Sequence, residues 1–63
     1  MLKIDYWYED GRKNPAVYAT ATFYPNEGVW RGNVFDATGK MIGDYVSDDS
    51  VEIERRFPGI FGD

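Results

Sequence analysis

Cysteine and histidine are both absent from this chain of 63 residues. Without cysteine no disulfide can staple the fold, and without either residue the common structural zinc sites are excluded. The same absence excludes nucleophile–base pairs of the Ser–His and Cys–His kinds. We therefore expect that the protein is not an enzyme and that it has no metal site and no cofactor.

Long apolar runs and positive charge are also scarce. No apolar stretch could span a bilayer, and residues 1–5 do not resemble a signal peptide, so we expect a cytoplasmic protein with no membrane partner. Seven basic residues face eleven acidic ones, which gives a net charge of −4. This balance disfavours general binding to phosphate backbones. Residues 44–63 carry the whole imbalance, with six acids against two bases.

What the chain does contain is eleven aromatic residues, 17% of its length. Most stand in period-2 alternation, inside segments separated by turn signals at 10–11, 25–28 and 36–40. A chain of this size is a single domain, 1–63. The pattern predicts an α+β fold built on a four-stranded antiparallel meander sheet, with strands at about 2–8, 16–24, 29–36 and 40–46.

The C-terminal segment alternates as a fifth strand would, but its end signals favour a helix. Asp49 followed by Glu52 has the spacing of a capping box. Arg55 and Arg56 suit the C-terminal end of a helix dipole, and Pro58 is a stop signal. We predict a helix at about 48–57, packed on one face of the sheet.

Matching the three turns assigns each strand residue to one of two faces. One face is apolar and suits the helix, and its members are Leu2, Ile4, Tyr6, Val17, Ala19, Ala21, Phe23, Trp30, Val34, Ile42 and Val46. Asp44 is a misfit on this face. Either the strand bends at Gly43, or Asp44 lies at the rim and pairs with Arg55 or Arg56. Nothing remains in the chain to cover the other face, which is rich in residue types favoured at interfaces. We predict that it binds a partner, and its members are Trp7, Tyr18, Thr20, Thr22, Arg31, Asn33, Phe35, Met41 and Tyr45.

The first functional hypothesis is a non-enzymatic module that binds a protein, possibly a second copy of itself, through this face. The alternative is nucleic-acid binding by the same face, with aromatic rings stacking on bases. Residues 28–57, with their hairpin and helix, resemble the three-stranded sheet plus helix of integrase arm-binding and plant AP2-type domains, which insert a sheet into the DNA major groove. Lys3, Arg31 and Lys40 do not form the basic stripe of those domains, so membership is not inferred.

A third hypothesis concerns the acidic C-terminal part. Carboxylates lined up beside a helix could imitate a phosphate backbone, as phage-encoded inhibitors of host defence do. The simpler interpretation is compensation of the helix dipole, which needs only two or three acids. The residues concerned are Asp44, Asp48, Asp49, Glu52 and Glu54.

Overall fold

A computed structural model describes residues 2–62, and this part of the chain forms six strands and one helix. All strand pairs are antiparallel. The elements are β1 (Tyr6–Glu9), β2 (Arg12–Pro15), β3 (Tyr18–Ala19), β4 (Thr22–Tyr24), β5 (Val29–Phe35), β6 (Met41–Ser47) and α1 (Ser50–Arg56). The predicted combination of antiparallel sheet and one short C-terminal helix is confirmed.

The predicted single meander is wrong, because the strands form two sheets. β1 and β2 make a separate hairpin around the turn at Asp10 and Gly11, both of which have positive φ. The last rung of this hairpin is the bond from Ala16 N–H to the Asp5 carbonyl. The N–H of the next residue, Val17, donates instead to the Phe35 carbonyl, which belongs to the second sheet. The predicted strand at 16–24 therefore begins where the chain passes from one sheet to the other.

The second sheet has β5 at its centre, with β6 on one side and both β3 and β4 on the other. Phe23 faces Trp30 and Ala19 faces Val34, as the turn at 25–28 predicts. Between β3 and β4 the strand is interrupted at Thr20. Its hydroxyl accepts from the Asn33 N–H, while its carbonyl accepts from the Tyr45 hydroxyl at 2.6 Å. β3 and β4 nevertheless pair with β5 in the same register.

The β5–β6 pair contains a bulge that the sequence analysis did not predict. Phe35 faces Met41, but Val34 faces Gly43, so Ile42 is an extra residue on β6. Beyond the bulge every residue of β6 is shifted by one position, which moves its side chain to the opposite face. Asp44 therefore points to solvent and Tyr45 lies over Gly32, which removes the predicted misfit of Asp44.

The helix is shorter than predicted, and Asp49 caps it as predicted. The return contact of a capping box is not formed, because the Asp49 N–H donates to the Ser47 hydroxyl instead of Glu52. The Asp49 side chain accepts from the N–H groups of Val51 and Glu52, and the two arginines occupy the last turn. Ile53 and Phe57 lie one turn apart and are buried. They join residues of both sheets in one core, whose buried members are Trp7, Ala16, Ala19, Val34, Tyr45, Ile53 and Phe57.

Within residues 2–62 no helix is long and apolar enough to cross a membrane. The cytoplasmic location stays a prediction from the sequence.

Candidate functional site

The second sheet has one face that neither the helix nor the hairpin covers, and we call it the outer face. It is defined by the side chains of β3–β6 that alternate with the buried ones. Seven of the nine residues predicted to bind a partner lie on it. Its members are Tyr18, Thr20, Thr22, Tyr24, Arg31, Asn33, Phe35, Met41, Asp44 and Val46.

Trp7 and Tyr45 are not part of the outer face, and their predicted exposure is wrong. Both are buried in the core. The Trp7 ring stacks on Phe57 with centroids 5.8 Å apart, and the Tyr45 ring lies 5.1 Å from the same phenylalanine. The separate hairpin turns Trp7 inward, and the bulge at Ile42 turns Tyr45 inward. Conversely Tyr6 and Val46, which the predicted register buries, are exposed.

One end of the outer face is apolar. Tyr18, Phe35 and Met41 lie side by side on three adjacent strands, because Tyr18 faces Phe35 and Phe35 faces Met41. The rings of Tyr18 and Phe35 have centroids 6.2 Å apart. Tyr18 is 55% exposed and Met41 54% exposed. A flexible thioether beside two rings is a combination common at adaptable binding surfaces.

The middle of the outer face is polar and neutral hydrogen-bonding groups dominate it. Asn33 faces Asp44 across the β5–β6 pair, and Thr20 bonds to the Asn33 N–H from the other side. These residues, with Thr22 and Arg31, line a shallow depression of about 350 Å³. The depression offers donors and acceptors next to the apolar end.

The far end carries the one cation of the outer face, Arg31. Its Nε donates to the Glu27 carboxylate at 3.2 Å and its guanidinium lies 5.8 Å from the centre of the Tyr24 ring. The hydrogen bond and charge of Glu27 raise the pKa of Arg31 above its usual value. The guanidinium is thus already held by an acid of its own chain.

The five acids of the predicted acidic patch do not form one cluster with one role. Asp49 caps the helix, and Glu54 accepts a hydrogen bond from the Gly59 N–H at 3.0 Å. Asp44 lies on the outer face, opposite Asn33. In the described part of the chain no three acids come together in a way that could hold a metal ion.

A second surface, which the sequence analysis missed, lies on the N-terminal hairpin. Tyr6 and Tyr8 project from the same face of β1 and meet edge to face, with ring centroids 5.2 Å apart. Lys13 of β2 lies over the Tyr6 ring, with Nζ 4.4 Å from its centre. The period-2 alternation of β1 contained this signal, but the predicted meander assigned Tyr6 to the core.

Beside these tyrosines is a groove of about 450 Å³ between β1 and the end of the helix, which we call the hairpin groove. The Lys3 N–H donates to the Pro58 carbonyl at 2.7 Å and holds the N-terminal segment along the groove. Arg56 lies over the Trp7 ring, 4.8 Å from its centre. The groove is lined by Lys3, Ile4, Asp5, Tyr6, Trp7, Tyr8, Arg56, Phe57 and Pro58.

Comparisons of the chain with protein-family models, with curated proteins and with solved structures find no match.

Proposed function

We propose that this protein is a non-enzymatic module that binds a protein partner through its outer face. The observation that supports this most directly is the apolar end of that face, where Tyr18, Phe35 and Met41 form a continuous uncovered patch. Isolated exposed apolar residues are normal on protein surfaces, whereas a contiguous patch bordered by polar groups is typical of an interaction site.

The composition of the outer face favours a protein over a nucleic acid. Nucleic-acid affinity depends on cations that neutralise phosphates. Arg31 is the one cation on this face and is paired with Glu27, while Asp44 adds a negative charge beside it. Tyrosine, methionine and neutral hydrogen-bonding groups are instead the usual constituents of protein interfaces.

The dimensions of the outer face indicate a transient contact. Three strands spaced about 4.8 Å apart, with seven residues at about 3.3 Å each, project roughly 330 Å². A stable interface of standard size buries about 800 Å² on each partner. We therefore expect micromolar affinity and rapid exchange, with Tyr18 and Met41 contributing most of the binding energy.

The acidic-mimic hypothesis has less support from the geometry. Asp49 and Glu54 are engaged in hydrogen bonds within the chain, and Asp44 lies on another surface. Charge reversal of Asp48 and Glu52 remains its direct test, because neither carboxylate has a hydrogen-bond partner among the contacts described.

Photo-crosslinking tests the outer face directly. A benzophenone amino acid replaces Tyr18 in one protein and Tyr8, an exposed aromatic of the hairpin, in another. In cells of the native host, we expect a discrete protein adduct from position 18 and none of the same mass from position 8. An adduct at twice the mass of the chain would identify a second copy as the partner.

Competition provides the matched control. Excess unlabelled protein should abolish the position-18 adduct, and so should the Tyr8→Ser/Val51→Ser variant, whose changes are exposed but lie off the outer face. The Tyr18→Ser/Met41→Ser variant should fail to compete. The proposal is wrong if both variants compete equally, or if position 18 yields no adduct and sedimentation shows a monomer at millimolar concentration.

A further inference from the structure

The charges of this acidic protein are unevenly distributed along the chain, and three of its seven cations lie in or beside the hairpin groove. Of seven basic residues, five belong to the N-terminal hairpin segment or the last turn of the helix: Lys3, Arg12, Lys13, Arg55 and Arg56. The segment from 16 to 54 holds only Arg31 and Lys40 against seven acids. Residues 1–15 and 55–63 hold these five bases against four acids, a net charge of +1, so the net charge of −4 comes from the segment between them.

Three of these cations are available to a ligand. The one ion pair between charged side chains in residues 2–62 is Arg31 with Glu27. Lys3, Lys13 and Arg56 are therefore free of salt bridges, although each lies in or beside the groove. Arg56 and Lys13 are also held in place by the aromatic rings beneath them, which reduces the entropy lost when they bind an anion.

Aromatic surface lies next to these cations. Tyr8 is 60% exposed and Tyr6 45% exposed. Because Lys13 covers the Tyr6 ring and Tyr6 supports Tyr8 in an edge-to-face pair, Tyr8 is the ring with the more accessible surface. Tyr8 faces Lys13 across the hairpin and lines the same groove as Lys3 and Arg56. Proteins that bind single-stranded nucleic acids without reading their sequence combine accessible rings with cations in one groove.

We propose that the hairpin groove binds a short single-stranded oligonucleotide. One base stacks on Tyr8, and neighbouring phosphates contact Lys3, Lys13 and Arg56. The groove volume is within the range of small-ligand sites, which suits one or two nucleotides rather than a long strand. The site uses no residue of the outer face, so it can fail or hold independently of the proposed protein binding.

Fluorescence anisotropy with a labelled single-stranded 8-mer of DNA or RNA measures the binding. We expect weak binding at low salt, with log K falling with log salt at a slope of about −2, since each phosphate contact on a single strand contributes about −0.7. The Lys3→Gln/Lys13→Gln variant should bind about tenfold more weakly, with a slope near −0.7. Tyr8→Leu should weaken binding about tenfold without changing the slope.

Two controls distinguish binding at the hairpin groove from general charge attraction. Arg12→Gln/Lys40→Gln removes the same charge from a separate depression that both residues line. Since Arg12 projects from the opposite face of the hairpin to Lys13, this variant should change affinity less than twofold. Asp5→Asn removes the carboxylate that lines the groove and should strengthen binding several-fold.

The proposal is overturned if the 8-mer does not bind at low salt, or if the two double variants weaken binding equally. It is also overturned if an abasic 8-mer binds as tightly as the normal one, since the site would then recognise phosphate alone. Far-UV circular dichroism confirms that each variant, all of whose changes are at exposed side chains, retains the fold.

Discussion

Tyr45 connects β6 to the interrupted edge strand of the second sheet. Its ring crosses Gly32, where a Cβ atom would collide with both the ring and the Thr20 carbonyl. Its hydroxyl reaches the Thr20 carbonyl, which has left the β-ladder. The packing of the Tyr45 ring over the backbone therefore requires a glycine at position 32, and the hydrogen bond to Thr20 requires the hydroxyl of Tyr45. This contact fixes where the edge strand is interrupted.

Removing the Tyr45 hydroxyl should destabilise the protein in a pH-dependent way. Burial raises the pKa of Tyr45, with Arg56 opposing the shift. The neutral hydroxyl thus stabilises the fold below about pH 10, the ordinary value of the group, and this contribution is lost as pH rises through the raised pKa. We expect Tyr45→Phe to cost about 1 kcal/mol at neutral pH, because the Thr20 carbonyl loses its partner.

Urea unfolding followed by tryptophan fluorescence at pH 7 and at pH 11 measures this. The difference between wild type and Tyr45→Phe should shrink at the higher pH, because only the wild type loses the contribution of the neutral hydroxyl. Tyr24→Phe, an exposed hydroxyl on the outer face, is the control. An unchanged difference at the two pH values would contradict the assignment.

The sequence predicts correctly which residues face each other where a nearby turn sets the strand register. Phe23 faces Trp30 and Ala19 faces Val34 because the turn at 25–28 sets their register. The predicted exposure of Trp7 and Tyr45 is wrong because the separate hairpin turns Trp7 toward Phe57 and the bulge at Ile42 turns Tyr45 toward the same ring. No alternation within a strand contains that information. Six of the seven predicted residues that lie on the outer face belong to the segment 18–35, which contains no bulge, and the seventh, Met41, precedes the bulge in β6.

At the scale of elements, the helix is specified by its own ends. Asp49 accepts from two N–H groups of the first turn, Arg55 and Arg56 occupy the last turn, and Ile53 faces the core. These signals are local, so the sequence predicts the helix from them. The division of the strands into two sheets depends on a long-range contact. The hairpin pairs only with itself, and its Trp7 packs against Phe57 at the end of the helix.

Loss of the helix cap should be measurable. Asp49→Ala leaves two backbone N–H groups without their acceptor and should cost about 1 kcal/mol. Asp48→Ala removes the same charge one residue earlier and should change stability by less than half as much, since Asp48 does not cap the helix. Thermal unfolding of both variants tests this, and equal losses would show that charge, not capping, is responsible.

At the scale of the whole molecule, one core joins three parts. Trp7 belongs to the hairpin, Val34 to the second sheet, and Phe57 to the end of the helix, yet all are buried together. Neither sheet has a hydrophobic face that it can bury alone. The two sheets should therefore fold as one unit, with a total stability of only about 3–5 kcal/mol for a chain of this size.

A variant with a single tryptophan tests this cooperativity. Trp30→Phe leaves Trp7 as the only tryptophan, so fluorescence reports the hairpin while far-UV circular dichroism reports the whole fold. We expect the two urea transitions to coincide. A fluorescence midpoint at distinctly lower urea would mean that the hairpin detaches before the second sheet unfolds.

The extra residue at Ile42 gives β6 a position where a change of length leaves its two faces unchanged. Deletion of that residue would place Met41 and Gly43 in succession opposite Phe35 and Val34. Asp44 would then still face Asn33, and Tyr45 would still face Gly32. Loss of the bulge with Ile42 retained would have the opposite effect, because it would bring Asp44 inside and Tyr45 outside. The chain can therefore lose one residue at this position and present the same outer face.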